Sequence, residues 1–370
     1  MSQHGFEVVG VSSSGPELDE VAKEEGIRVL SLEMTRTISP WKDIRALWQM
    51  YRLCKIEKPD IVHSHTPKAG IIGMLGARLA GVPHRLHTVA GLPLMEAKGT
   101  KRRILDLVEK LTCLSASRVY PNSQGLYHFI VQHGYAPKEK MKVIGEGSSN
   151  GIDTTYFSRK SISTDEQIQL KKKLHIEAND FVFIFVGRLV GDKGINELVE
   201  AFCELTSLPS TAKGATVNKT PKLLLVGPLE TELDPLLPET LKRISQHPGI
   251  ISVGFQKDVR PYFAISDCLA FPSYREGFPN VVMQAGAMDL PSVVTDINGC
   301  NEIISEGENG KIIPVKNDAA LYKAMEEMLR DEEGFLKMKE NARRMITSRY
   351  EQSVVWSALL EEYQQIISLS

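Results

Sequence analysis

The feature that most constrains the fold is a repeated alternation of short apolar segments with longer amphipathic ones. In the first part of the chain, apolar segments that predict buried strands occupy residues 6–11, 28–32, 60–63, 84–89 and 118–121. Segments with helical periodicity lie between them, at residues 17–26, 41–58, 69–81, 101–115 and 123–133. Strands that alternate with helices predict an α/β fold, in which parallel sheets are covered by helices on both faces.

The alternation restarts after residue 175, with strands expected at residues 181–186, 222–226, 250–253, 268–271, 292–295 and 311–313. This predicts two consecutive doubly wound, Rossmann-like domains. We place the first at residues 1–154 and the second at 155–350, because the polar stretch 151–157 contains residues that suit a hinge. The final helix, 351–370, has an apolar stripe and is expected to return to the first domain. The polar segment 207–221 predicts an exposed loop.

Composition excludes several classes of protein. The 370 residues carry a net charge of −2, so no global field attracts nucleic acid. The five cysteines form no C-x-x-C pair, which argues against a disulfide framework or a zinc site. We find no uninterrupted apolar run of about 18–20 residues and no signal-peptide pattern at the start. A cytoplasmic protein is therefore expected, and one that would meet a membrane only at its surface.

The first chemically informative segment is FVGRLVGDKGINELVEAF, in which a strand ends at Val186 and a glycine-punctuated turn leads into a helix. Arg188 and Lys193 flank this turn. Glycine lets backbone approach a ligand closely, and the N-terminus of a helix attracts anions. The segment therefore suits a diphosphate. The alternative is an ordinary turn with two solvated cations.

The second informative segment is FPSYREGFPNVVMQAGA, which follows the strand that ends near Phe271. Pro279 is expected in the first turn of the next helix, which would leave the N–H groups of Asn280 and Val281 free for an anion. Glu276 precedes that helix, where its carboxylate could bind sugar hydroxyls. Gln284 comes eight positions later, roughly on the same face. The alternative is a cap carboxylate and a surface amide.

Together these segments resemble the family-4 retaining glycosyltransferases, in which an arginine and a lysine are followed by an E-x7-E motif. Supporting motifs occur in the same order as in that family: NGID, LLLVGP, SVGFQKDV and TDINGCNEII. The segments HSHTPKAGIIG and HTVAGLPLMEAKG are most similar to the branch that builds bacterial capsular and lipid-linked polysaccharides. The resemblance covers nearly the whole chain and implies a GT-B fold, with two Rossmann-like domains and a cleft between them.

The resemblance also implies an activity and roles for single residues. The activity is transfer of a hexosyl or N-acetylhexosaminyl group from a nucleotide sugar, UDP-linked by expectation, to a glycan or polyprenyl-linked acceptor, without a bound metal or other cofactor. Arg188 and Lys193 would hold the diphosphate, Glu276 would bind the transferred sugar, and Gln284 would bind the ribose. The expected donor-binding residues are Gly187, Gly227, Phe255, Val259, Gly277, Phe278, Pro279, Asn280, Val281 and Gln284. On the acceptor side we expect His65, Lys68 and Gly91.

Three features depart from the family pattern. Gln284 stands where relatives have a second glutamate, so its bond to the ribose would lack charge assistance. Ala90 stands where many relatives place a histidine, and His87 on the preceding strand is expected to be packed. The chain also opens without the first, central strand of the family. We therefore expect open sheet edges near the start and hypothesise that Met1 is an internal methionine of a longer natural chain.

Basic residues mark the start of the helix at 101–115. Lys98, Lys101, Arg102 and Arg103 could hold this helix on an anionic membrane, or could simply be a solvated helix end. Two other functions stay open at this point: a UDP-sugar epimerase of the same fold, and a catalytically silent nucleotide-sugar-binding protein.

Overall fold

The chain forms two compact units in a computed structural model that describes residues 1–35, 39–92, 94, 97–207, 219–232 and 234–368. The first unit contains Met1–Ser149 and the residues from Ser357 onward, and the second contains Asn150–Trp356. Each unit has its own sheets and its own apolar core.

The first unit alternates strands with helices as the sequence predicts. Its strands are β1 (Val9–Ser12), β2 (Arg28–Ser31), β3 (Ile61–Ser64), β4 (His84–Val89) and β5 (Arg118–Pro121). Its helices are α1 (Pro16–Glu25), α2 (Pro40–Glu57), α3 (Pro67–Ala80), α4 (Gly99–Ser115) and α5 (Gln124–Gln132). Helix α3 begins earlier than predicted, because the Thr66 hydroxyl caps it and Pro67 fits the first turn.

The described strands of the first unit form two separate parallel sheets. One pairs β1 with β2, with Val9 opposite Arg28, and the other has the order β3-β4-β5, with Ile61 opposite His84. No described strand joins the two sheets, so edge strands of both stay unpaired within the described part of the first unit. Apolar side chains of α2 and α3 pack into one cluster with residues from both sheets, among them Val11 and Val62.

The second unit repeats the alternation over a longer stretch. Its strands are β6 (Asp180–Val186), β7 (Thr220–Val226), β8 (Ile250–Ser252), β9 (Cys268–Phe271), β10 (Ser292–Thr295) and β11 (Gly310–Ile313). Its helices are α6 (Thr164–Lys173), α7 (Ile195–Ser207), α8 (Pro238–Gln246), α9 (Arg260–Ala264), α10 (Asn280–Ala287), α11 (Cys300–Ile303), α12 (Asp318–Arg330) and α13 (Glu332–Tyr350). Strand β7 begins two residues before the predicted start, inside the expected loop at 207–221. The part of that loop at 208–218 lies outside the described residues.

All six described strands of the second unit join in one parallel sheet with the order β8-β7-β6-β9-β10-β11. This is the doubly wound order, in which the chain reverses direction at β6 and β9. Every residue of β9 and β10 is buried. The strands are mostly apolar, as expected where helices cover both faces of a sheet. The α/β class with parallel sheets is confirmed in both units.

The last helix, α14 (Gln352–Ser368), packs its C-terminal half on the first unit. The Tyr363 hydroxyl lies 2.6 Å from Nδ1 of His63 on β3, and the Glu362 carboxylate accepts a 3.1 Å hydrogen bond from the Tyr120 hydroxyl on β5. Lys142 pairs with the same carboxylate at 2.5 Å. The apolar stripe of this helix thus covers the sheet β3-β4-β5 with a buried polar contact at each edge.

Candidate active site

The candidate site of the second unit lies where two neighbouring strands, β6 and β9, end. Ile184 pairs with Leu269, so the loops that follow these strands emerge side by side. Gly194 closes the first loop at φ +71°, and a Cβ atom there would lie 2.1 Å from the carbonyl oxygen of Pro272 in the second loop. A larger residue would push the two loops apart. The glycine therefore permits the close approach on which the site depends.

The approach brings Lys193 and Glu276 into an ion pair. Lys193 Nζ lies 2.5 Å from Glu276 Oε1, and each side chain is only 17% exposed. The Ser273 hydroxyl donates to the same carboxylate oxygen at 2.8 Å. Charge-assisted hydrogen bonds in a partly buried site are stronger than those in open water. The pair therefore holds both side chains in fixed positions at the end of the sheet.

The buried Cys300 thiol lies close enough to this pair to sense its charges. Burial raises its pKa well above the ordinary value, and the negative charge of Glu276 raises it further while Lys193 opposes that effect. Cys300 is the first residue of α11 and belongs to the motif TDINGCNEII. The Cys300 thiol therefore stays protonated and behaves as an apolar side chain beside the Lys193–Glu276 pair.

Two further contacts join the two loops and a third joins the second loop to α7, and sequence analysis missed the residues that make them. The Tyr274 N–H donates to the Asp192 carbonyl at 2.9 Å, and Arg275 Nη2 donates to the Asp192 carboxylate at 2.7 Å. The Tyr274 hydroxyl donates to Glu197 on α7 at 2.5 Å. Burial and Glu197 raise the pKa of Tyr274, so its hydroxyl stays a donor. The run of polar residues in SYRE was the signal that could have indicated these contacts.

The segment after β10 supports the backbone around Glu276. Asn298 Nδ2 donates to the Gly277 carbonyl, and the Thr295 hydroxyl donates to the Ser273 carbonyl. Both residues belong to TDINGCNEII. That motif therefore contributes to the site by supporting the loop that carries Glu276.

Arg188 lies in the first loop but has a different partner from Lys193. Its Nη1 atom donates to Glu230 Oε2 at 3.0 Å, and its side chain is 47% exposed. The backbone below it is tightly packed: a Cβ atom on Gly227 would lie 1.8 Å from the Gly187 carbonyl oxygen. An exposed ion pair contributes little to stability, so an anionic ligand could take the place of Glu230 at low cost.

Helix α10 begins at Asn280, one residue later than predicted. Pro279 is the cap residue, with φ −75° and ψ 110°, and does not belong to the first turn. The Val282 N–H donates to the Pro279 carbonyl, so the N–H groups of Asn280 and Val281 have no acceptor within the helix. Phe278 is buried edge-on against Tyr350 and fixes the entry of the chain. The half-buried Gln284 lies in the second turn of α10, and Glu276 precedes the helix, so the two do not share a helix face as the spacing of eight predicted.

The two residues expected to border the base differ in exposure. Phe255 is 72% exposed, which leaves its ring accessible for stacking. Val259 is the cap residue of α9 and packs against the core. Phe255 therefore offers most of the contact surface.

The expected acceptor-side residues lie in the first unit. His65 is exposed just after β3, Lys68 pairs with Asp43 of α2 at 2.6 Å, and Gly91 follows β4. His87 is buried, as expected from its place on the strand, with Nδ1 at 2.8 Å from the Ser64 hydroxyl. Burial lowers the pKa of His87 to about 4, so it is neutral.

Sequence analysis missed a second histidine with polar partners in the first unit, the half-buried His63. His63 bridges Tyr363 and Thr88, with Nε2 at 2.8 Å from the Thr88 hydroxyl, and burial lowers its pKa well below the ordinary value. Its alternating position on β3 was the signal for burial.

The basic residues expected at a membrane lie at the start of α4. Lys98 is the cap residue, and Lys101 and Arg103 are exposed. Arg102 is held by Asp106, with Nε at 2.7 Å from the carboxylate. Of the helices in the described ranges, none is both long and apolar enough to span a bilayer. The described residues also contain no group of three or more His, Cys, Asp or Glu side chains placed to hold a metal ion.

Comparisons with known proteins assign both units to related families. The family described as "Glycosyl transferases group 1" matches residues 166–345, and the "Glycosyl transferase 4-like domain" matches residues 1–147. The capsular polysaccharide biosynthesis glycosyltransferase CapM of Staphylococcus aureus is 33% identical over 97% of this chain and 90% of its own length.

Two further similarities extend this result. An Escherichia coli protein named UDP-Gal:alpha-D-GlcNAc-diphosphoundecaprenol alpha-1,3-galactosyltransferase is 29% identical over 91% of this chain and 83% of its own. The crystal structure of a glycosyltransferase from Rickettsia africae superposes with a TM-score of 0.80 at 18% identity, over 100% of this chain and 92% of that one. The similarity to the Rickettsia africae structure is one of fold.

Proposed function

Because the chain belongs to the group 1 and 4-like glycosyltransferases and has their GT-B fold, we propose that it transfers a hexosyl or N-acetylhexosaminyl group from a UDP-linked sugar with retention of configuration. The observation that carries this proposal is the Lys193–Glu276 pair at the ends of β6 and β9, 2.5 Å apart. In doubly wound sheets, ligands bind outside the carboxyl ends of the strands where the strand order reverses. The pair lies at that point of the sheet.

Each residue of the site has a distinct part in the proposed reaction. Lys193 and Arg188 bind the donor diphosphate and stabilise the negative charge that develops on UDP as the glycosidic bond breaks. The free N–H groups at the start of α10 add a partial positive charge. Glu276, held by Lys193 and Ser273, accepts hydrogen bonds from hydroxyls of the transferred sugar. Gln284 binds the ribose, and Phe255 stacks on the base.

The acceptor in this proposal is a polyprenyl-diphosphate-linked sugar or glycan, used to build a surface polysaccharide. The name of the Escherichia coli relative supports both a UDP donor and a diphosphoundecaprenol acceptor for that protein. His65, Lys68 and Gly91 form the acceptor side. The enzyme then works on the cytoplasmic face of the membrane, with Lys98, Lys101, Arg102 and Arg103 near the lipid headgroups, and needs no bound metal.

The test is turnover by the purified full chain with UDP-sugars and a short-chain polyprenyl-linked acceptor. Lys193→Ala should lower kcat by about 100- to 1,000-fold, since it removes one charged group from the transition state. Lys172→Ala on the surface of α6 is the matched control and should leave kcat unchanged. Equal kcat for Lys193→Ala and the parent would reject the assigned role. UDP-sugar binding without turnover in the parent would favour the silent binding protein.

Two measurements test the finer parts of the proposal. Calorimetry should show binding of UDP and weaker binding of GDP, and magnetic resonance of the product should show the anomeric configuration of the donor. Transfer should persist in excess EDTA. An inverted product, or loss of activity with chelator, would overturn the corresponding part.

A further inference from the structure

Helix α2 carries its largest apolar side chains on the face away from the core. Ala46, Met50 and Cys54 are buried, whereas Trp41 and Trp48 are 86% and 58% exposed. Trp41, Ile44 and Trp48 follow the spacing i, i+3, i+7, so they form one ridge on the side opposite the buried residues. Scattered apolar residues are normal on a surface, but a continuous ridge with two tryptophans is not.

Helix α4 has the same arrangement. Its exposed apolar residues follow helical spacing and lie opposite the buried face formed by Glu109, Thr112 and Cys113. These exposed residues are Ile104, Leu107, Leu111 and Leu114. The stripe therefore makes no contribution to the core of the unit.

The tryptophan ridge of α2 and the apolar stripe of α4 belong to one layer of helices. Helix α3 packs between α2 and α4. The crossovers from β3 to β4 to β5 run in the same direction along their sheet, and right-handed crossovers place α3 and α4 on one face of it. Leu79 of α3, 60% exposed, lies between the ridges. We call the exposed side of α2, α3 and α4 the outer helical face.

Exposed cations line this face. Arg45, Arg52 and Lys55 are exposed beside the tryptophan ridge, and Arg103 and Lys110 are exposed beside the α4 stripe. The acidic residues nearby are paired within the unit: Asp43 with Lys68, Glu57 with Arg28, and Asp106 with Arg102. The outer helical face is therefore apolar and positively charged together.

We infer that the outer helical face docks on the headgroup region of an anionic phospholipid bilayer. Tryptophan prefers this region because its ring is apolar and its N–H finds polar partners there. Basic residues beside an apolar helix face add attraction to anionic lipids. A second copy of the chain fits less well, because its outer face would bring like charges together.

The inference deepens the proposed function, since a lipid-linked acceptor is presented at such a surface. It extends the membrane contact from the basic start of α4 to two complete helices. Vesicle binding is measured without substrate or turnover. Failure of docking would therefore leave the assignment of the donor site intact, and failure of catalysis would leave docking intact.

The first experiment compares sedimentation of the full chain with vesicles of phosphatidylglycerol and of phosphatidylcholine. The double variant Trp41→Ser, Trp48→Ser should weaken partition into phosphatidylglycerol vesicles by roughly tenfold or more, because two large aromatic side chains leave the apolar boundary. The matched control is Trp356→Ser, which removes the exposed tryptophan of the second unit and should leave partition unchanged. Equal partition of all three proteins would overturn the inference.

The second experiment reads insertion directly. The chain has three tryptophans, so in Trp356→Phe all tryptophan emission comes from Trp41 and Trp48. Phosphatidylglycerol vesicles should shift that emission to shorter wavelength, and brominated lipids should quench it. Unchanged emission at vesicle concentrations that sediment the protein would overturn the inference. So would self-association in solution that the double variant abolishes, since the ridge would then be covered by a second copy.

Discussion

The two units share an alternating architecture but differ in the continuity of their sheets. In the second unit, β6 connects β7 to β9, so six described strands form one sheet in which every residue of β9 and β10 is buried. In the first unit, no described strand joins β1 to β3, and none of the described residues of β1 and β2 is fully buried. Among the described residues, the first unit therefore has two short sheets where the second unit has one continuous sheet.

This difference in sheet continuity affects which side chains meet at the ends of the strands. In the second unit, β6 lies beside β9, so the loops after them meet and bring Lys193 to Glu276. In the first unit, polar side chains at the ends of β3 and β4 mainly satisfy one another, as His87 and Ser64 do. A continuous doubly wound sheet presents reactive groups at its switch point, whereas in the divided one the lowered pKa values of His63 and His87 keep both side chains neutral.

Glycine-to-alanine substitutions should give the largest difference between the two units in loss of unfolding free energy. Gly227→Ala in the second unit places a Cβ atom 1.8 Å from the Gly187 carbonyl oxygen, so we expect a loss of more than about 4 kcal/mol in unfolding free energy. Gly81→Ala in the first unit meets nothing within 4 Å and adds only the strain of φ +83°, about 1 kcal/mol. Denaturant unfolding, followed by amide hydrogen exchange in each unit, measures both losses. Similar losses would mean that the second unit is no more tightly packed at its turns.

A matched core substitution should give the next largest difference. Val294 on β10 is fully buried, whereas Val62 on β3 is only partly buried beside the open edge. Val294→Ala should cost about 2–3 kcal/mol through lost apolar contact and a cavity, and Val62→Ala about 1 kcal/mol. The same exchange measurement reports each value. If Val62→Ala cost as much as Val294→Ala, the edge of β3 would be covered in solution.

The sequence predicted the strands of both units well because buried parallel strands are short, continuous apolar runs. The run at residues 268–271 has the same bounds as β9. The placement of Lys193 and Glu276 also followed from sequence, because both belong to motifs at strand ends. The ion pair of Arg188 with Glu230 was not predicted. It depends on which loops meet after folding, and no local pattern encodes that.

Other site features depend on similar long-range contacts. Asp192, Tyr274 and Arg275 contact one another across about 80 residues of sequence because β6 and β9 are neighbours. The cap position of Pro279 was wrong by one residue, since proline tolerates both the cap and the first turn and tertiary packing of Phe278 decides between them. The periodicity of apolar residues predicts which side chains are buried, but it does not predict which distant residues they contact.

Two carboxyl groups, one in each unit, offer a third comparison. Glu276 has Lys193 as its partner, whereas the buried Glu109 of α4 contacts the Cys113 thiol at 3.8 Å. Burial raises the pKa of Glu109 from 4.5 to about 7. The folded chain therefore keeps a proton that the unfolded chain loses, and the stability of the first unit is full below pH 4.5 and falls as pH rises to about 7.

Glu109→Gln should remove this dependence on pH. At pH 8 we expect the variant to be more stable by roughly 2 kcal/mol, and at pH 4.5 nearly unchanged, when exchange of the α4 amides is followed in denaturant. Glu362→Gln is the control, because that carboxylate is paired with Lys142 and should lose stability at pH 8. A variant of Glu109 that is less stable at pH 8 would show that the carboxylate has a cationic partner in solution.

In the last comparison, which has the smallest expected effect, the loss of stability should be larger in the first unit than in the second. Tyr363→Phe removes the hydroxyl that faces Nδ1 of the half-buried His63, so a ring nitrogen is left without its partner at a cost of about 1–2 kcal/mol. Tyr350→Phe removes a donor to the Glu302 carbonyl, which still accepts from Arg349 at 3.0 Å, so the loss in the second unit should stay below about 1 kcal/mol. Amide hydrogen exchange in β3 and in α13 measures the two losses of stability. A larger loss for Tyr350→Phe would contradict this reasoning, because the cost of a deleted hydroxyl should follow the partner it abandons and not the packing of the unit around it.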